Sequence, residues 1–141
     1  MFRRHILNKL EAWKANAKHK PLILRGARQV GKTTVVNEFG SQFDNYLYFN
    51  LENPESIKLF EMEIPLDDLV NMLYASLGKS QQDGSTLIFI DEIQNSPKTI
   101  ALLRYFYEQR PDLYVIAAGS LLENLVDVKV SFPVGRVQYL A

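Results

Sequence analysis

Two short stretches hold the residues best suited to chemistry. In the first, Gly26, Ala27, Arg28, Gln29, Val30, Gly31, Lys32 and Thr33 fit the spacing GxxxxGK[ST] at every fixed position, and Thr34 follows them. Its glycines let the backbone turn tightly enough to aim successive N–H groups inward, a concavity suited to phosphate oxygens. Lys32 would reach the terminal phosphates of a nucleotide, and the Thr33 hydroxyl would hold Mg²⁺. The second stretch, Leu87-Ile-Phe-Ile-Asp91-Glu92, is four apolar residues followed by two carboxylates. At the C-terminal edge of a strand, where open α/β sheets bind ligands, Asp91 would hold Mg²⁺ through its water shell. Glu92, one residue further out, could accept a proton from a water attacking the γ-phosphorus. Each stretch has a plainer reading alone, as a glycine turn or a solvated acidic turn. Together they describe a metal-assisted phosphate site.

The surrounding elements must bring these residues together. Pro21-Leu-Ile-Leu-Arg25 is a short apolar run closed by Gly26, which predicts a buried strand directly before the glycine-rich loop. Thr33, Val35, Val36 and Phe39 begin a helix that Gly40 ends, and Tyr46-Leu-Tyr-Phe-Asn-Leu51 alternates as a second strand. Leu66, Leu69, Val70, Leu73, Tyr74 and Leu77 form one stripe of a helix over residues 65–77, with Pro65 at its start and Gly78 after its end. Residues 86–91 predict a third strand, Asn95-Ser-Pro97 opens a helix through Tyr107, and residues 113–118 predict a fourth strand. Upstream, Phe2, Ile6, Leu7, Leu10 and Trp13 mark an amphipathic helix over residues 2–17. Continuously apolar strands alternating with helices predict an α/β fold, a parallel sheet covered on both faces. The chain stops at residues 136–141, which read as the opening of a fifth strand, so a fragment of a longer polypeptide is expected.

Composition narrows the class. The chain of 141 residues contains no Cys, which excludes a disulfide framework, a thiolate metal site and a cysteine nucleophile, and fits a reducing compartment such as the cytoplasm. No apolar run approaches the roughly 20 residues of a membrane helix, so no membrane association is expected. Sixteen Lys+Arg balance sixteen Asp+Glu. The balance is uneven along the chain: residues 1–44 carry nine basic and three acidic residues (9 − 3 = +6), and residues 45–141 carry seven and thirteen (7 − 13 = −6). A basic block can serve a polyanion, or it can be a solvated helix face.

Several further residues carry two readings each. Ser120, after the fourth strand, is a γ-phosphate sensor if that strand lies between the loop strand and the Asp91 strand; it is equally a cap for a helix starting at Leu121. Arg136 either neutralises charge on a nucleotide held by a neighbouring subunit, which implies a homo-oligomer, or is a surface residue. Gln94 either orients water or pairs with Asn95. Arg25 and Arg28 either touch phosphate or face solvent, and His5 and Ile6 either line a base pocket or pack on the core.

The blocks G-A-R-Q-V-G-K-T-T, L-I-F-I-D-E-I-Q, A-A-G-S-L-L and S-F-P-V-G-R-V occur in this order. So arranged, the chain resembles the prokaryotic AAA-superfamily ATPase domain of proteins that usually carry a nuclease-like C-terminal region. The resemblance covers nearly all residues of 1–141. It implies ATP and Mg²⁺ as ligands, a Walker A loop at residues 26–33, a Walker B pair at Asp91 and Glu92, a sensor at Ser120 and an arginine finger at Arg136. It also implies a three-layer P-loop core with strand order 5-1-4-3-2, truncated near strand 5, whose lid and C-terminal domain are not in this sequence.

Three functions compete. ATP hydrolysis would drive a conformational change in the C-terminal part; a nucleotide-bound switch would regulate a partner with little turnover; a nucleic-acid-binding module would use the basic start. The zero net charge and the lack of interleaved aromatic and basic residues argue against direct nucleic-acid binding. No N-K-x-D motif for guanine follows the loop, which disfavours a GTPase, and kinase transfer would need an acceptor pocket that the sequence does not announce.

Overall fold

The computed structural model describes residues 2–24, 31–81, 83–119 and 137–140. In chain order the elements are α1 (Phe2–Ala15), β1 (Leu22–Leu24), α2 (Lys32–Gly40), β2 (Asn45–Asn50), α3 (Pro54–Phe60), α4 (Leu66–Ser76), β3 (Thr86–Asp91), a 3₁₀ turn (Ile93–Asn95), α5 (Pro97–Gln109), β4 (Tyr114–Ala118) and β5 (Gln138–Leu140). The five strands form one sheet in the order β2-β3-β4-β1-β5, all neighbours parallel. Read from the other edge this is 5-1-4-3-2, the order that the resemblance implied. β4 therefore lies between β1 and β3, with Leu22 opposite Ile116 on one side and Phe89 opposite Ile116 on the other.

Alternation along each strand divides the core into two layers. Leu22, Leu24, Leu87, Phe89, Ile116 and Ala118 point to one face, where Ile6, Leu10 and Trp13 of α1 and Val35, Val36 and Phe39 of α2 cover them. Ile23, Leu47, Phe49, Ile88, Ile90, Val115 and Ala117 point to the other, beneath Phe60 of α3, the Leu69–Tyr74 stripe of α4, and Ile100, Leu103 and Phe106 of α5. Each of the buried Val, Leu, Ile and Phe side chains stabilises the fold by about 1.5–3 kcal/mol relative to exposure. α1 is tied down at the far end of the sheet: the Trp13 indole N–H donates to the Lys20 carbonyl at 2.7 Å, and the Tyr114 hydroxyl donates to the Lys14 carbonyl at 3.0 Å.

Boundaries shift where local hydrogen bonding decides them. α1 ends at Ala15 rather than near residue 17 because the Asn16 side chain accepts the Lys18 N–H at 2.9 Å, an alternative to the helical bond. Pro65 caps α4 from outside instead of forming its first turn. Ser96 accepts the Thr99 N–H and Pro97 opens α5, as their types suggest. α3 has no counterpart in the expected elements. Asn53 caps it by accepting the Glu55 N–H at 2.9 Å, with Pro54 at its first position. Among the described residues no helix is long and apolar enough to cross a membrane.

Candidate functional site

The site is built at the C-terminal edge of the sheet, where the end of β3 meets the start of α2. Asp91 has the same parity as Leu87 and Phe89, so its side chain leaves the sheet on the α2 side. Val35, Val36 and Phe39 seat α2 on that same face, which brings its first turn over the strand end. There the Thr33 hydroxyl donates to Asp91 Oδ2 at 3.1 Å, joining the two sequence stretches across 58 residues.

Gly31 stands immediately before α2 with φ 102° and ψ −9°, a left-handed conformation that favours glycine. Its carbonyl accepts the Val35 N–H at 2.8 Å, and having no side chain it makes no side-chain cap on the start of α2. Lys32 is the first residue of α2, Thr33 is half-buried and Thr34 is exposed.

Among the described residues, three hydrogen bonds to the Asp91 carboxylate are seen. Besides Thr33, the Tyr48 hydroxyl donates to Oδ2 at 3.0 Å and the Glu92 N–H donates to Oδ1 at 2.9 Å. Glu92 itself has φ 54° and ψ 44°, so a non-glycine residue occupies the left-handed region at the strand exit. Such conformations cost of order 1–3 kcal/mol and cluster at functional sites. The turn swings Glu92 off the line of β3. Gln94 Nε2 then donates to Glu92 Oε1 at 3.3 Å, whereas Gln94 Oε1 is buried without a hydrogen-bond partner among the described residues. Asn95 does not pair with Gln94; its amide donates to the Leu51 carbonyl at 3.1 Å.

Two tyrosines of β2 face the same side. The Tyr46 hydroxyl donates to Asn37 Oδ1 of α2, and its ring lies so close to Gly40 that a Cβ there would come within 2.6 Å of it. Tyr48 tilts against Phe89 with ring centroids 5.3 Å apart. Burial pushes both phenols above their ordinary value. The neighbouring Asp91 charge and hydrogen bond add to this at Tyr48; at Tyr46, Tyr48 and then Asp91 add lesser contributions. Tyr48 was not among the expected site residues. Its alternation with Tyr46 was visible in the sequence, but its meeting with Asp91 follows from the pairing of β2 with β3, where Asn50 is opposite Asp91.

The donor set suits Mg²⁺. A hydroxyl and a carboxylate are hard oxygen ligands, and Mg²⁺ usually takes only one or two protein ligands, completing its shell with water and phosphate. The described residues hold no group of three or more His, Cys, Asp or Glu able to cage a metal by themselves. Gly26, Ala27, Arg28, Gln29 and Val30 of the loop, Arg25 before it, and Ser120 and Arg136 lie outside the described residues. The condition set for Ser120 is met as far as the strands go, since β4 ends between β1 and β3.

The sequence profile of a family described as an AAA domain matches residues 18–141, all of the strands and every helix but α1. No curated protein matches the chain. Among solved structures, the Walker-type ATPase of Pyrococcus abyssi is similar with a TM-score of 0.59 and 21% identity, over 97% of this chain and 53% of that one. The ORC1 protein of Aeropyrum pernix, solved in complex with DNA, is similar with a TM-score of 0.59 and 15% identity, over 99% of this chain and 44% of that one. The chain thus spans about half the length of these structures. At such identities the likeness is one of fold, and it agrees with the parallel sheet and the helices on both its faces. With the profile covering all but its first helix, the chain belongs to the AAA domain family.

Proposed function

We propose that the chain binds ATP with Mg²⁺ and hydrolyses it, as the ATPase core of a larger protein whose remaining part responds to the nucleotide. The observation that carries this reading is the Thr33–Asp91 contact at 3.1 Å. It joins the hydroxyl of the phosphate-loop motif to the first acid of the strand-end pair, the two groups that a P-loop site uses for its metal.

Each residue then has a task. The backbone amides of residues 26–33 cradle the phosphates, and Lys32 adds a positive charge beside the terminal ones. Thr33 and, through the metal's water shell, Asp91 would hold Mg²⁺, which would supply charge neutralisation to the phosphates. Glu92 takes a proton from the attacking water, and Gln94, bonded to Glu92 and with a carbonyl oxygen that no described residue engages, orients that water. Ser120 senses the γ-phosphate, and Arg136 serves a nucleotide on a neighbouring subunit. A Cys-free chain of this kind fits a cytoplasmic protein.

Phosphate release from the full-length protein tests the proposal. Lys32→Ala should abolish it, and Glu92→Gln should lower it by about 10²–10⁴-fold while nucleotide still binds. Unchanged turnover in both variants would defeat the assignment. Tight nucleotide binding by the wild-type protein with negligible turnover would point instead to a switch.

A further inference from the structure

A carboxylate offers about four lone-pair sites, and three hydrogen bonds from described residues reach Asp91. The three donors differ in what a metal would do to them. The Thr33 oxygen would itself be a ligand under the reading proposed above, and since a hydroxyl has two lone pairs besides its hydrogen, this bond belongs to the metal-holding pair itself. The Glu92 N–H belongs to the backbone turn at the strand exit and grips the other oxygen, Oδ1. Of these three, the Tyr48 hydroxyl is the side-chain donor from outside the metal-holding pair, and it meets Oδ2, the oxygen that Thr33 also faces.

Tyr48 is well built for such a task. It sits on β2, whose six-residue pairing with β3 runs from Asn45 opposite Thr86 to Asn50 opposite Asp91. Its ring packs against Phe89, two residues before Asp91 on the same strand face. Ring and hydroxyl are thus both referenced to the strand that carries the carboxylate. Tyr46 makes a useful contrast, since its hydroxyl is spent on Asn37 of α2 instead.

We propose that Tyr48 is a positioning residue for the metal site: its hydroxyl holds the Asp91 carboxylate turned toward Thr33, and so sets the affinity of the site for Mg²⁺. This rests on the reading of Thr33 and Asp91 as the metal-holding pair. Partners of this kind, bonded to a ligand and not to the metal, typically affect metal affinity by about 10–100-fold.

The test uses Tyr48→Phe, which keeps the ring and removes the hydroxyl, with Tyr46→Phe as the neighbouring control. Binding of ADP to the full-length protein is measured by calorimetry in EDTA and over a Mg²⁺ titration, and Mn²⁺ binding in the presence of ADP is followed by its electron paramagnetic resonance. For Tyr48→Phe the expected result is a metal half-saturation raised at least about tenfold, with ADP affinity in EDTA within about twofold of wild type. Tyr46→Phe should leave the metal affinity unchanged. Unaltered metal affinity in Tyr48→Phe, or an equal loss of ADP affinity with and without metal, would overturn the positioning role. Wild-type binding that shows no metal dependence would instead overturn the reading of Thr33 and Asp91 on which it rests.

Discussion

Gly31→Ala separates the backbone's contribution to the site from that of its side chains. Gly31 has φ +102°, and a Cβ built there meets nothing within 4 Å, so the substitution adds no clash with the rest of the fold. Its cost is local: a left-handed L-residue is disfavoured by about 1–2 kcal/mol, and φ here lies beyond the small allowed region near +60°. For a chain of this length each kcal/mol corresponds to about 4 °C in melting temperature, so a fall of about 4–8 °C is expected. Relief of the strain would rotate the peptide that precedes Lys32 and Thr33, so nucleotide affinity should fall as well. Gly78→Ala is the matched control, with φ +69°, equally open space and a place just after α4. It should lower the melting temperature by a few degrees and leave nucleotide binding alone. Thermal unfolding and calorimetric titration with ADP measure both effects. A Gly31→Ala protein as stable as wild type, or one that loses stability and keeps full nucleotide affinity, would refute the reasoning.

Two predictions concern the scaffold. Gly40→Ala places a Cβ 2.6 Å from the Tyr46 ring, so it should destabilise by about 1–3 kcal/mol through overpacking, seen as a lower denaturant midpoint; an unchanged midpoint would show that β2 and α2 yield freely. Hydrogen bonds from Arg110, foremost among the causes, hold the Asp112 carboxyl below its ordinary 3.8. The pair therefore stabilises the fold above that value, and its contribution is lost as the pH falls through the lowered pKa of the folded state. Side-chain exposures of 62% at Asp112 and 74% at Asp67 keep the effect small. Arg110→Met should cost at most about 1 kcal/mol near neutral pH, and the gap should narrow below the ordinary carboxylate range in a pH series of denaturant midpoints. A gap independent of pH would contradict the ion-pair account.

Much of the fold can be read from local chemistry. The apolar run at residues 86–91 is a strand with those bounds because every residue from Thr86 to Ile90 is buried, a pattern only a central parallel strand needs. Ser96 and Pro97 announce α5 for a similar reason, since cap and first-turn proline chemistry is local. The strand order came with the family resemblance and not from any residue, because register and adjacency are long-range properties. α3 escaped because seven residues hold too little of a 3.6-residue period, although Asn53 and Pro54 carried its starting signal. At the candidate site, Thr33, Asp91 and Glu92 stand out in the sequence by type and spacing, and the fold brings Thr33 to Asp91. Tyr48 was not, since its hydroxyl reaches an acid 43 residues away. Nor was the left-handed turn at Glu92, a non-glycine position with no local cue for it.

The central claim is that Thr33 and Asp91, 3.1 Å apart, form the metal-holding half of an ATP site. Calorimetric titration of the wild-type protein and of Asp91→Asn with a non-hydrolysable ATP analogue, in Mg²⁺ and again in EDTA, tests it most directly. The account predicts that the wild-type protein binds at least about tenfold more tightly in Mg²⁺ and that Asp91→Asn loses this difference. Equal wild-type affinity in the two conditions, or a metal effect that survives in Asp91→Asn, would contradict it.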